Sequence, residues 1–408
     1  MAKISLSLDT EEILRLLKDD ANDTFKCLLQ DSLNTVLKAE SKEQLNAEPY
    51  ERTDKRLDCR NGFRERDLKT RVGTITLTVP RHRNQPFKTM VFENYSRSEA
   101  ALIASMTEMV VNGVSTRKVS QVVTALCGTS FSKSNVSELC KCLDGHVKEF
   151  RERPLTECYP FVTVDATYFR CRSEHRVTSR AMMIAYGVSG HGRREIIGFG
   201  VYPNESQTTW TDFLTSLQRR GLAGVLLIIS DAHEGLRHAI AKTFPNVAWQ
   251  HCQFHFSRNV SDKVPKKYQV GFRSELQEMY NCETIEEARK KRDELIALYA
   301  DEAPSAIECL TKGFDSAMTV MTLPKYLRKY FRTSNHIERL NRELKRRSRV
   351  IGIFPDEASL IRLMGSVLME RHEALQNTKA VFSHDTYLAL LNSGVSEQLG
   401  KIARDQLV

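Results

Sequence analysis

Apolar positions recur at helical spacing in the first third of the chain and at strand spacing or in unbroken runs through its middle, which predicts separate helical and α/β regions. Residues 8–47 read as helix, with Leu14, Leu16 and Leu17, then Leu28, Leu29, Leu33 and Leu37, on recurring faces. In "TRVGTITLTVPR" Ile75, Leu77 and Val79 alternate with Thr74, Thr76 and Thr78, the period-2 pattern of a half-buried strand. Val119, Val122, Val123 and Leu126 fall at i, i+3, i+4 and i+7, and Val136, Leu139, Cys140 and Leu143 repeat that spacing after a Gly-containing "CGTSFS". The pair is a helix-turn-helix candidate whose second helix would offer Ser132, Lys133, Ser134 and Asn135 to a major groove. A plain helical hairpin has the same pattern.

From Phe161 the texture alternates between strands and helices. "FVTVDATYFR" reads as a strand, "RAMMIAYGVSGHGRREIIGFGVY" as two more joined at Gly190-His191-Gly192, and "TTWTDFLTSLQRRGL" as an amphipathic helix ending at Gly221. "GVLLIISD" is the continuous apolar run of a strand covered on both faces. It ends at Asp231, and a helix follows from about Glu234 to Phe244. Later, "FRTSNHIERLNRELKRRSRVIGIFP" predicts a helix opening near Asn335, with Asn335 and Glu338 as a capping-box pair and Ile337, Leu340 and Leu344 as its apolar stripe.

Composition sharpens this picture. The 408 residues, 41% apolar, suffice for two to four modules with cores of their own. The net charge is +9, and eleven lysines and arginines face five acids between Tyr50 and Lys88. Clustered positive charge points to a polyanion or an anionic membrane surface, although a charge-rich strand region without any ligand has the same composition. No apolar run approaches the roughly 18 residues of a spanning helix and the first residues lack a signal pattern, so a soluble cytoplasmic protein with no membrane partner is expected. The ten cysteines are scattered and fit reduced thiols. Cys252 and His255 in "WQHCQFHF" are too few to close a tetrahedral zinc site, so a structural contact is expected of them.

Three strands, a helix and a buried strand ending in Asp follow the order of a ribonuclease-H-like core. In such a sheet the fourth strand runs parallel to the first, which would bring Asp165 and Asp231 to one edge, where a divalent cation offsets the cost of crowding two carboxylates. Taken singly, Asp165 could lie on an open sheet face and Asp231 could cap the next helix. Glu338 would add a third oxygen ligand for Mg²⁺, with Mn²⁺ as an alternative, and two such ions serve phosphoryl transfer. Around it Arg339, Arg342, Lys345, Arg346, Arg347 and Arg349 suit a phosphodiester backbone. The simpler reading is a solvated helix face with weak i, i+4 ion pairs.

Four blocks, "VTVDATYFR", "LIISDAHEGLRHAI", "WQHCQFHFSRN" and "RTSNHIERLNRELKRRSRVIGIFP", occur in this order with the three acids 66 and 107 residues apart. Over nearly the whole chain the sequence resembles the Mutator-type transposases of bacterial insertion sequences. The resemblance implies an acidic triad of Asp165, Asp231 and Glu338, a Cys-x-x-His signature at Cys252 and His255, and a mostly helical insertion from about Val247 to Tyr330. His251 stands where the family usually has arginine, and the tryptophan often found after the last catalytic helix is absent near "RHEALQNT". Also implied are DNA as partner (terminal inverted repeats and target), cleavage exposing 3′-OH ends, their transfer, pairing of ends by at least a homodimer, and a nucleoid-associated location. The expected organisation is multidomain α+β: a helical and basic strand region at 1–96, a helix-turn-helix-like domain at 97–150, the core at 155–246 and 331–375 around the 247–330 insertion, and a tail at 376–408. A transposase-derived regulator without catalysis and a structure-specific nuclease are the alternatives. The intact triad opposes the first, and the second would not need the helix-turn-helix candidate or the basic strand region.

Overall fold

A long helix, α1 (Ala21–Leu45), packs on the antiparallel hairpin β1 (Arg60–Thr70) and β2 (Gly73–His82) in the computed structural model, which describes residues 21–51, 56–70, 73–89, 100–127, 133–173 and 176–406. Ile75, Leu77 and Val79 point inward against Leu29, Leu33 and Leu37, while Thr76 between them is exposed, as the alternation predicts. Leu14, Leu16 and Leu17 lie outside the described residues. Helices α2 (Ala100–Val111), α3 (Thr116–Cys127) and α4 (Lys133–Leu139) share a core of Leu102, Met106, Val119, Val123 and Val136. Both helices of the candidate motif are present, and α2 adds a third wall. The stripe Val136, Leu139, Cys140 and Leu143 runs over α4, a 3₁₀ turn at Cys140–Cys142 and the start of α5 (Leu143–Glu152), rather than over one helix. Residues 128–132, including Ser132, lie outside the described residues.

Residues 1–141 and 142–408 form separate compact units. The second is built on a five-stranded mixed sheet. Strands β3 (Phe161–Ser173), β4 (Arg176–Val188) and β5 (Arg194–Tyr202) form an antiparallel meander. Gly192, in the turn between β4 and β5, has φ of +72°, and a Cβ there would collide with the Phe382 carbonyl oxygen, so only glycine fits. Helix α6 (Gln207–Arg219) opens with a Ser206/Thr209 capping box and leads to β6 (Leu227–Ser230), parallel to β3. Helix α7 (Glu234–Thr243) leads to β7 (Ala248–His251), giving the order β5-β4-β3-β6-β7.

Trp210, Phe213, Leu214 and Leu217 of α6, at i, i+3, i+4 and i+7, join Leu236 and Ile240 of α7 in covering Val162, Val164, Met183, Ile197 and Ile228 on one sheet face. After β7 come α8 (Gln253–Ser261), α9 (Gln269–Asn281), α10 (Ile285–Tyr299) and α11 (Pro304–Met318), with a core of their own around Phe256, Phe272, Leu276, Leu310 and Phe314. The chain then returns through α12 (Lys325–Phe331), α13 (Asn335–Ser348) and α14 (Glu357–Gln376), which pack on the strands of the sheet's opposite side. Arg362 of α14 grips Asp144 of α5 through two bonds of 2.6 and 2.7 Å. Two further helices, α15 (His384–Asn392) and α16 (Val395–Asp405), occupy the tail. Beyond them, the Gln406 amide bonds both N–H and C=O of Trp249 at 2.8 Å, closing the β7 edge that would otherwise offer unpaired backbone. No described helix is long and apolar enough to cross a membrane.

Candidate active site

Strand β3 turns alternate residues to alternate faces, so Phe161, Thr163 and Asp165 all point away from α6 and α7. Each meets the returning chain. Phe161 stacks on Phe331 with ring centroids 3.8 Å apart, Thr163 Oγ1 lies 3.0 Å from His336 Nε2, and Asn341 Nδ2 donates to Asp165 Oδ2 at 2.7 Å. In the parallel pairing, Phe161 sits opposite Leu227 and Thr163 opposite Ile229. That register offset of 66 is also the separation of Asp165 and Asp231 in sequence, so continuing it sets the second acid beside the first at the carboxyl end of β6. Ligands of open α/β sheets collect at such strand ends.

The electrostatics agree with this proximity. Burial, and after it the charge of Asp231, pushes the Asp165 carboxyl up to about 7, against the Ala166 N–H bond and the charge of His255. Glu205, in the loop before α6, is also pushed up, first by burial, with the Asp231 charge adding and a hydrogen bond to Tyr168 opposing. Nothing in the periodicity marks Glu205, which occupies a loop, as part of this acidic cluster.

Glu338 arrives by a different route from the one the sequence suggests. The N-cap of α13 is Ser334, and it makes no side-chain cap bond. Its N–H and hydroxyl instead reach Cys252 Sγ at 3.2 and 3.1 Å, and the same hydroxyl lies 3.1 Å from Glu338 Oε1. The expected Asn335/Glu338 capping box therefore gives way to a contact with a fully buried sulfur. Cys252 also donates its backbone N–H to Ser230, the residue before Asp231, at 2.8 Å. One cysteine thus ties the end of β6 to the start of the Glu338 helix. His255 Nε2 lies 3.6 Å from Glu338 Oε1. The Cys252 sulfur beside it outweighs burial and, with the charges of Glu338 and Asp165, raises its pKa to about 9. For Cys252 burial acts upward, but the neighbouring His255 and the bonds from Ser334 bring the thiol below its usual value.

Among the described residues, Cys252, His255 and Glu338 are the one set of three acid, cysteine or histidine side chains whose donor atoms all lie within 4.8 Å of one another. Asp165, Asp231 and Glu338 do not converge that closely. The charges of both Glu338 and Asp165 bear on His255, which lies 3.6 Å from the first. Cys252 and His255 thus group with Glu338, an arrangement with metal-ligand chemistry that no local spacing suggests.

The basic residues divide sharply. Arg339, Arg342, Lys345 and Arg349 are exposed, and among the described residues no acid pairs with Arg339 or Arg342. Arg346 is exposed but bound to Glu343 at 2.7 Å. Arg347, expected on the DNA side, is 4% exposed and lies 2.8 Å from Glu343 and 3.1 Å from Glu370, so its charge serves the interior. On α4, Ser134 is exposed, whereas the side chains of Lys133 and Asn135 lie outside the described residues.

Residues 1–378 match the family described as Transposase, Mutator family. The chain is 43% identical over 377 residues to the transposase for insertion sequence element IS256 in transposon Tn4001 from Staphylococcus aureus, covering 91% of this chain and 96% of that protein. It is 38% identical over 367 residues to the ISRM5 transposase of Rhizobium meliloti (90% and 91%), and 37% identical over 369 residues to the IS1081 transposase of Mycobacterium tuberculosis (90% and 89%). With end-to-end similarity of this kind, the chain belongs to the Mutator family of transposases.

Proposed function

We propose that the chain binds the terminal inverted repeats of its insertion sequence and catalyses metal-dependent strand cleavage and transfer of the resulting 3′-OH ends into target DNA, on a ribonuclease-H-like core. The observation that carries this reading is the parallel register offset of 66, which, carried two residues past the Thr163/Ile229 pair, brings Asp165 level with Asp231, while Asn341 of the Glu338 helix bonds Asp165. A buried carboxyl whose ionisation burial and a neighbouring acid oppose, as at Asp165, belongs to an apt donor set for a hard divalent cation, which favours its charged form. Asp165, Asp231 and Glu338 would hold Mg²⁺ or Mn²⁺. Two such ions, when bound, activate the attacking oxygen and stabilise the leaving one in phosphoryl transfer.

The chain's own residues prepare that site. Asn341 fixes Oδ2 of Asp165 and the Ala166 N–H fixes Oδ1. Ser334 and His255 orient Oε1 of Glu338, so the carboxylate enters the reaction with little rotational freedom to lose. Arg339 and Arg342 suit the phosphodiester backbone beside the cut, and the first turn of α4 suits the bases of the terminal repeat. Holding two ends together calls for at least a dimer.

The test is incubation of the purified protein with an end-containing duplex and Mg²⁺, with nicking resolved from strand joining. The reading requires both products and their loss on chelation. Binding without either product favours a regulator that has lost catalysis, and nicking without joining favours a nuclease.

A further inference from the structure

On the flank of α13 next to Glu338 opens a cleft of about 940 Å³, within the roughly 300–1,000 Å³ of pockets that enclose small organic ligands. Tyr186, Val188, Ile196, Phe331, Leu340 and Val381 give it apolar walls. Arg194, Lys329, Arg339, Arg342, Arg346 and Arg371 also line it, against a single acid, Glu343. That acid is already engaged by Arg346, Arg347 and Arg371. Tyr330, half-buried in the lining, carries Lys329 at 4.9 Å and Arg194 at 6.0 Å from its ring centre. At about 100° per residue, Arg339, Arg342 and Arg346 fall on a stripe about 40–100° around the helix from Glu338, so the cleft opens on the same helix as that acid, on the side turned away from Asn341 and Asp165.

The combination of walls and charges restricts the occupant. A duplex backbone needs the cations but makes no use of a deep apolar wall, and an apolar ligand makes no use of the cations. An unstacked nucleotide needs both, an aromatic face for its base and cations for the phosphates on either side. We propose that this cleft takes up one unpaired nucleotide of the DNA strand adjoining the cut, with its base on Tyr330 and its flanking phosphates on Arg339 and Arg342. The proposal rests on the transposase reading above for the source of that DNA.

The experiment uses the full-length protein in chelator and a labelled duplex ending in a terminal repeat plus flanking DNA, with one mismatched pair walked across the cut. A base that must leave its stack does so more readily when mismatched. The expected result is binding tightened about five- to tenfold at one or two positions beside the cut and nowhere else. Tyr330→Phe should keep that gain and Tyr330→Ala should lose it, while Arg339→Ala and Arg342→Ala weaken matched and mismatched duplexes alike. No position-specific gain in the wild type, or a gain that survives in a natively folded Tyr330→Ala protein, overturns the proposal. If Tyr330→Ala fails to fold, an abasic site at that position in the duplex bound by the wild type decides the matter: binding weaker than with the mismatched base supports stacking in the cleft, and equal binding overturns it. Because these readouts involve no cleavage, their failure with normal strand cutting removes the cleft alone. An inactive protein that still shows the mismatch pattern instead removes the catalytic reading.

Discussion

Two carboxylates on either side of the sheet-facing helix receive opposite treatment. Glu343 sits among Arg346, Arg347 and Arg371, and the Arg346 bond foremost holds its carboxyl well below the usual carboxylate range, against the opposing effect of burial. Asp165 has Asp231 as its neighbour, and burial together with that charge drives its carboxyl upward to about 7. The first acid has its counter-charges built into the fold. The second is held where the fold alone penalises its charge, as expected of a group whose partner is a ligand.

The largest effect should separate the two on activity. Asp165→Ala, Asp231→Ala and Glu338→Ala should each lower cleavage and joining at least about a thousandfold, since several kcal/mol of transition-state stabilisation is at stake. Binding to end-containing duplex should survive, and an active single mutant would sink the triad assignment. Glu343→Gln should instead act on stability. It leaves the buried Arg347 guanidinium with a weakened partner set, at a cost of about 3 kcal/mol read as a fall in denaturation midpoint. Because the folded pKa of Glu343 lies below its unfolded value near 4.5, its contribution is present above that pH and is lost as pH falls below it.

Asp165→Asn should move stability the other way. A folded pKa of about 7 against an unfolded 3.8 means the fold favours the protonated carboxyl, so the metal-free protein loses stability as pH rises from about 4 through 7. Removing that charge should stabilise the chelated protein at pH 8 by about 2 kcal/mol after allowance for partial exposure, while abolishing activity. A melting midpoint unchanged or lowered by Asp165→Asn would contradict the electrostatic account.

Smaller effects should come from the supporting contacts. Cys252→Ala removes the sulfur that receives Ser334, and should slow cleavage about tenfold with binding intact. Elemental analysis should find no stoichiometric zinc, and zinc lost in that variant would mean that Cys252, His255 and Glu338 hold a metal instead. Lys133→Ala with Asn135→Ala should reduce the preference for cognate over scrambled ends by about 1–3 kcal/mol per lost base contact. Full preference in that variant would make α4 a packing element.

Much of this architecture is legible in the residues themselves. Ile75, Leu77 and Val79 face inward as their alternation requires, and the last four residues of the apolar run before Asp231, Leu227–Ser230, form a strand buried throughout, while Gly224 to Leu226 lie outside it. The 66-residue spacing of the aspartates carries the sheet register, because parallel strands preserve offsets. Arg347 shows where charge misleads and period does not. It falls at i+7 from Leu340 and i+3 from Leu344, on the apolar stripe, and it is buried there. What the sequence hides is contact over long separations. Ser334 meets Cys252 across 82 positions, and the cap of α13 is spent on that sulfur. Glu205 lies in a loop with no period to place it beside Asp231.

The central contrast is tested most directly by Mn²⁺ binding, followed by electron paramagnetic resonance at pH 8 in wild type, Asp165→Asn and Glu343→Gln. The account predicts specific binding in the wild type, its loss in Asp165→Asn, and its retention in Glu343→Gln at a temperature where that variant is folded. Wild-type affinity in Asp165→Asn, or loss of binding in folded Glu343→Gln, would contradict it.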